Sequence, residues 1–117
     1  MVNLEQKRAL NAFEACSAEK FGGKDGGEVV KKLPPQIREN GMLGTLAFAL
    51  SENNKDKGWE KAFDAIRLHL KSLGKVKADT IAQLQDVLMK CDSRKLRDVT
   101  AETMLYLNYM RRFAKKG

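Results

Sequence analysis

Residues 59–73, WEKAFDAIRLHLKSL, decide how the rest of the chain is read. Trp59, Ala62, Phe63, Ile66, Leu70 and Leu73 recur at the i, i+3, i+4, i+7 spacing that lines one face of an α-helix. Arg67 and Lys71 stand one turn apart on the polar side. Gly74 follows at the place where a glycine ends a helix. No stretch alternates with the period of two that marks a strand, and no hairpin turn joins β-branched runs. The expected fold is all-α, a compact bundle of five to six helices in a single domain, residues 1–117.

Downstream, Asp79 is placed to cap a helix whose inner face is Ile81, Leu84, Leu88 and Cys91. Ser93 is placed to cap a last helix with Leu96, Val99, Thr103, Tyr106, Leu107, Met110 and Phe113 inside. Upstream, residues 42–50, MLGTLAFAL, carry no charge and follow an Asn40-Gly41 break. At 100° per residue Leu43, Leu46, Ala47 and Leu50 share a side and Phe48 points away. A short helix apolar nearly all round is expected at the centre of the core; a subunit interface through Phe48 is the other reading.

Residues 28–32 are expected to form a short helix stopped at Pro34-Pro35, with PPQIREN opening a second short turn. The first helix is expected over residues 2–20, with Val2, Ala9, Leu10, Phe13 and Cys16 inward and Phe21 just beyond. The glycines of FGGKDGG (21–27) end it, and SENNKDKG (51–58) is a polar loop.

Of 117 residues, 43% are hydrophobic and 32% charged, a globular rather than a disordered composition. The uncharged run at 42–50 is far short of the roughly 18 to 20 apolar residues of a membrane helix, so no membrane partner is expected. The opening residues, MVNLEQKRALNAFEA, lack a signal peptide's hydrophobic block, and a cytoplasmic location is expected. Cys16 and Cys91 fall within apolar patterns and read as small hydrophobes. With His69 the single histidine and no Cys-x-x-Cys, neither a metal site nor a cofactor is expected.

A catalytic constellation is not apparent. FGGKDGG lacks phosphate-loop spacing, His69 sits at the edge of an apolar face, and Asp64–Arg67 and Glu60–Lys61 read as solvated helix pairs. No small-molecule substrate is indicated.

The net charge of +7 points instead to an acidic partner, nucleic acid first. Residues 93–117 hold seven basic side chains (Arg94, Lys95, Arg97, Arg111, Arg112, Lys115 and Lys116) against Asp98 and Glu102, which is +5 of that charge. On a helical wheel Arg94, Arg97, Arg111, Arg112 and Lys115 fall opposite the Val99–Tyr106–Met110 face. At about 1.5 Å per residue the stripe is roughly 30 Å long, enough to follow several phosphates. A solvated face is the bland alternative, and cations at a helix C-terminus also complement the dipole. Arg67 with Lys71 is a second candidate and Lys31, Lys32 and Arg38 a third. No stacking motif of the RRM type is visible, so contact to backbone is expected. Leu68, Met104 and Leu105 lie off their core faces and raise the chance of protein partners slightly.

The blocks KKLPPQIRENGMLGTLAFALSE and TAETMLYLNYMRRFAKK resemble the small subunit of the Cmr complex, the type III-B CRISPR RNA-guided effector. The matching positions are Leu33, Pro34, Ile37, Asn40, Gly41, Leu46, Ala47, Phe48 and Leu50, then Arg111, Arg112, Phe113 and Ala114. Two departures are Tyr106 or Tyr109 in place of a tryptophan near the end, and Met42 between Gly41 and Leu43. The resemblance implies a non-catalytic helical subunit of an antiviral ribonucleoprotein. Its partners would be guide RNA and target RNA backbone, the other Cmr subunits and further copies of itself. The resemblance supplies only the Arg111-Arg112 pair; Arg67, Lys71, Arg94, Arg97 and Lys115 are chosen by charge and face. A helical DNA-binding regulator and a protein-only adaptor are the competing readings.

Overall fold

The computed structural model describes residues 3–18, 28–51 and 58–114. Among the described residues five helices follow in order: α1 (Leu4–Ala18), α2 (Glu28–Ala49), α3 (Trp59–Ser72), α4 (Ile81–Lys90) and α5 (Ser93–Phe113). Among the described residues there is no strand, and the all-α class holds. Val2, Lys20, Phe21, the FGGKDGG loop, residues 52–57, Lys115 and Lys116 lie outside the described residues.

The inner face expected of α3 is the inner face found. Trp59, Ala62, Phe63, Ile66 and Leu70 are buried, and Leu73 is half-buried. Gly74 adopts φ 73°, the left-handed conformation that only glycine enters cheaply. Its N–H donates to the Lys71 carbonyl at 2.9 Å, and Lys75 N–H donates to Leu70 O at 3.0 Å. Those two bonds are the Schellman closure of a helix end. The core continues through Leu84 and Leu88 of α4 and Val99, Tyr106, Leu107 and Met110 of α5.

α1 packs against α5 and runs parallel to it. Arg8 meets Glu102 and Cys16 meets Met110, both pairs 94 residues apart. The α1 face differs in part from the expected one: Cys16 is buried as expected, but Leu10 and Phe13 are exposed and Ala12 is buried in their stead. Ala12 at the contact lets the two helices approach closely, and the polar Arg8 and Asn11 turn inward to partners on α5 and α3. That requirement overrides the weak apolar pattern of an alanine-rich helix.

In α2 the chain does not stop at the prolines. Pro34 and Pro35 lie inside the helix, and the break comes at Gly41, with φ 79° and ψ 165°. Each proline removes a backbone N–H donor, which costs stability. Burial of Val29, Val30, Leu33 and Ile37 on one face offsets that loss. Beyond the kink, Thr45 Oγ1 donates to the Gly41 carbonyl at 2.8 Å. The segment 42–49 is not surrounded as expected. Met42, Thr45, Leu46 and Ala49 are buried, but Gly44, Ala47 and Phe48 are exposed. Phe48 stands edge-on to Trp59 with ring centroids 5.2 Å apart.

Both expected caps shift by one residue. Thr80 Oγ1 accepts from Gln83 N–H at 3.1 Å, and Asp92 Oδ1 accepts from Lys95 N–H at 2.8 Å. Asp79 instead pairs with Lys71 and gives its backbone N–H to Gln83 Oε1 at 2.7 Å. Cys16 is buried and Cys91 half-buried, and the two are not joined in a disulfide.

Candidate nucleic-acid interface

The last helix presents one apolar side and one basic side. Val99, Thr103, Tyr106, Leu107 and Met110 are buried, whereas Arg94, Arg97, Ala101, Leu105, Asn108, Arg111 and Arg112 are exposed. From Arg94 to Arg112 the outer face spans about 27 Å at the helical rise. None of the four guanidiniums has an ion-pair or hydrogen-bond partner among the described residues.

Neither acid of this segment pairs with those arginines among the described residues, although Asp98 is itself exposed. Asp98 pairs with Lys75 Nζ at 2.9 Å. Glu102 points inward and is only 4% exposed. The four arginines are therefore left without a paired acid among the described residues, and each phosphate such a charge neutralises releases condensed counterions. Lys115, expected to extend the stripe, lies outside the described residues.

The second candidate pair is placed differently from its expectation. Arg67 is buried at 7% exposure rather than displayed on a polar face. Its Nε donates to Asp64 Oδ1 at 2.8 Å and its Nη1 to the Ala78 carbonyl at 3.0 Å, tying the approach to α4 onto α3. Guanidinium tolerates this because two of its donors, Nε and Nη1, find acceptors in different directions. Lys71 is exposed and paired with Asp79, whose carboxyl it holds below the usual range, through a hydrogen bond first and its charge second. In the third patch Lys31, Lys32 and Arg38 are exposed, with Lys32 bonded to Glu28 at 3.0 Å.

A buried polar network behind the basic face was not foreseen. Arg8 grips Glu102 with two bonds of 2.7 Å, Nε to Oε2 and Nη2 to Oε1. His69 Nε2 lies 2.9 Å from Glu102 Oε2, and Asn11 Nδ2 lies 2.9 Å from His69 Nδ1. Since the Asn11 amide nitrogen can only donate, Nδ1 is the acceptor and Nε2 carries the proton to Glu102. The ring stacks on Tyr106, with centroids 4.2 Å apart and planes within 8°. Burial lowers the His69 pKa, against the raising influence of Glu102. Burial pushes Glu102 up, but hydrogen bonds from Arg8 and then His69 prevail and hold it below the carboxylate range. One signal did exist in the sequence: Glu102 stands three residues after Val99 and four before Tyr106, an acid on an apolar face.

An open cleft of about 490 Å³ separates parts of α1 and α3, lined among others by Asn11, Ala15, Asp64, Leu68, His69 and Tyr106. Both ring nitrogens of His69 are already hydrogen-bonded, so neither is free to take a proton from a molecule in the cleft. Among the described residues no group of three or more His, Cys, Asp or Glu side chains is placed to hold a metal ion. No helix among them is long and apolar enough to cross a membrane.

The family model described as CRISPR-associated protein (Cas_Cmr5) matches residues 4–116. This chain belongs to the Cas_Cmr5 family. No curated protein and no solved structure matches it. Membership makes the chain a small subunit of the type III-B Cmr complex, associated with the other Cmr subunits. The matched span includes both blocks that carry the resemblance, from Leu33 to Leu50 and from Arg111 to Ala114. In this Cas_Cmr5 chain the first block forms the kinked α2, and the second forms the end of the basic helix.

Proposed function

We propose that this Cas_Cmr5 chain is a non-catalytic subunit that touches guide or target RNA backbone along the outer face of α5. It would do so in the cytoplasm, within a ribonucleoprotein holding the other subunits and further copies of itself. The observation that carries the reading is the separation of charge on α5. Four exposed arginines have no partner among the described residues, while Asp98 and Glu102 are engaged elsewhere. Guanidiniums on a convex helix face meet phosphates rather than base edges, which suits a subunit that must accept any guide or target sequence. Arg67 is buried and bonded to Asp64 and the Ala78 carbonyl, so contacts are assigned to Arg94, Arg97, Arg111 and Arg112.

The test is charge reversal at Arg111 and Arg112 in the assembled Cmr complex, reading target RNA affinity against salt. Weaker binding with a shallower salt dependence is the expected result. Unchanged affinity and slope would leave the chain as a protein-only adaptor.

A further inference from the structure

Where α1 meets the end of α5, an aromatic pair sits beside the basic stripe. Phe13 is 54% exposed. Its ring and that of Phe113 meet edge-to-face, with centroids 5.5 Å apart and planes at 88°. This pairing exists only because α1 and α5 run parallel and α1 turns Phe13 outward. Phe113 directly follows the exposed Arg111-Arg112 pair, neither of which has a side-chain partner among the described residues. Half-buried Tyr109 lies one turn before both Arg112 and Phe113.

An edge-to-face pair leaves at least one face of each ring open to a further partner. A ring braced by a second ring loses little freedom when a flat group settles on it. Unpaired guanidiniums beside such a ring supply the other half of single-strand recognition: charge for the phosphate, a π-face for the base. An apolar protein surface would cover Phe13 too, but the adjoining unpaired positive charge matches a polyanion better.

We propose that Phe13, braced by Phe113, is a stacking platform for an unpaired base of single-stranded RNA at the Arg111-Arg112 end of α5. The proposal rests on the RNA-contact reading above and adds strand selectivity to it. A duplex keeps its bases stacked inside and offers the platform nothing, whereas its phosphates still meet the arginines.

The experiment is fluorescence anisotropy of the full chain with labelled oligoadenylate, oligouridylate and an RNA duplex over a salt series. Phe13→Ala and Phe13→Leu should weaken oligoadenylate binding about tenfold, the order that one base–aromatic stack supplies. Oligouridylate should lose less, the duplex nothing, and the salt slope should stay as in wild type. Phe13→Tyr should restore binding. Phe13→Leu keeps an apolar side chain, so weakened binding at an unchanged melting temperature separates stacking from folding.

If the wild-type chain binds none of the RNAs at low salt, the RNA-contact reading falls and the platform with it. If the chain binds RNA and both Phe13→Ala and Phe13→Leu match wild type, the platform alone falls. Wild-type RNA binding by Phe13→Ala, together with lost co-purification with other Cmr subunits, would make the patch a protein-docking surface and overturn the proposal.

Discussion

His69 lies flat on Tyr106, with ring centroids 4.2 Å apart, while its Nε2 faces Glu102 Oε2 at 2.9 Å. The stack and the hydrogen bond hold one imidazole between an aromatic face and a carboxylate that Arg8 also grips. Through this network α1, α3 and α5 share one buried polar junction behind the basic surface.

The junction makes stability acid-sensitive in two steps. His69 has a lower pKa folded than its ordinary 6.5, so the unfolded chain takes up its proton first. Stability from this group is present above pH 6.5 and falls as pH drops from there through the folded value. Glu102 is also lowered, from 4.5, so its contribution is present above pH 4.5 and lost as pH falls through its own folded value. Melting temperature should therefore decline from about pH 6.5 downward. His69→Gln should remove the upper step and keep the lower one. A flat melting temperature between pH 7 and pH 5 in wild type would contradict the assignment.

Removing Glu102 should expose how tightly the junction is coupled. Glu102→Ala leaves Arg8 without its bidentate partner and His69 without its acceptor. Breaking a fully buried pair costs about 3–5 kcal/mol; Arg8 retains 16% exposure, so about 2–3 kcal/mol is expected in urea unfolding. Arg8→Met combined with Glu102→Met should be less damaging than the two single losses added together. Additive losses would mean that the two side chains do not depend on one another.

Arg67 and the Arg111-Arg112 pair should separate fold from function. Arg67→Ala loses the bonds to Asp64 and the Ala78 carbonyl and should destabilise the chain by about 2 kcal/mol. RNA affinity of the folded protein should not change. Charge reversal at the exposed Arg111 and Arg112 should do the opposite, with melting temperature held and the salt slope of binding lowered by about one per lost phosphate contact. Equal effects of the two changes on affinity would return Arg67 to the interface.

Two of the glycines with positive φ, Gly41 and Gly74, should differ in their tolerance of a side chain. A Cβ at either Gly41 or Gly74 meets nothing within 4 Å, so the penalty is conformational alone. Gly74 at φ 73° closes α3, and Gly74→Ala should cost about 1 kcal/mol. Gly41 combines φ 79° with ψ 165°, a region nearly closed to other residues, and Gly41→Ala should cost up to about 3 kcal/mol. Urea midpoints of the two variants give the comparison directly; a Gly74→Ala loss exceeding that of Gly41→Ala would contradict it.

What the sequence determined by itself is local. The Gly74 stop and the Asn40-Gly41 break follow from glycine's backbone freedom, and the faces of α3 and α5 and the basic stripe from side chains three and four residues apart. Helical geometry makes such neighbours without help from the rest of the chain. Tertiary structure alone decided the features that depend on distant partners. Pro34 and Pro35 stay inside a helix because Val29, Val30, Leu33 and Ile37 find a core to bury in. Arg8 turns inward, and Phe13 outward, because Glu102 stands on the parallel helix 94 residues beyond Arg8. Arg67 leaves the polar surface because the Ala78 carbonyl is there to accept its bond. Periodicity ranks residues by their own polarity, whereas burial of a charge depends on whether a matching group arrives in three dimensions.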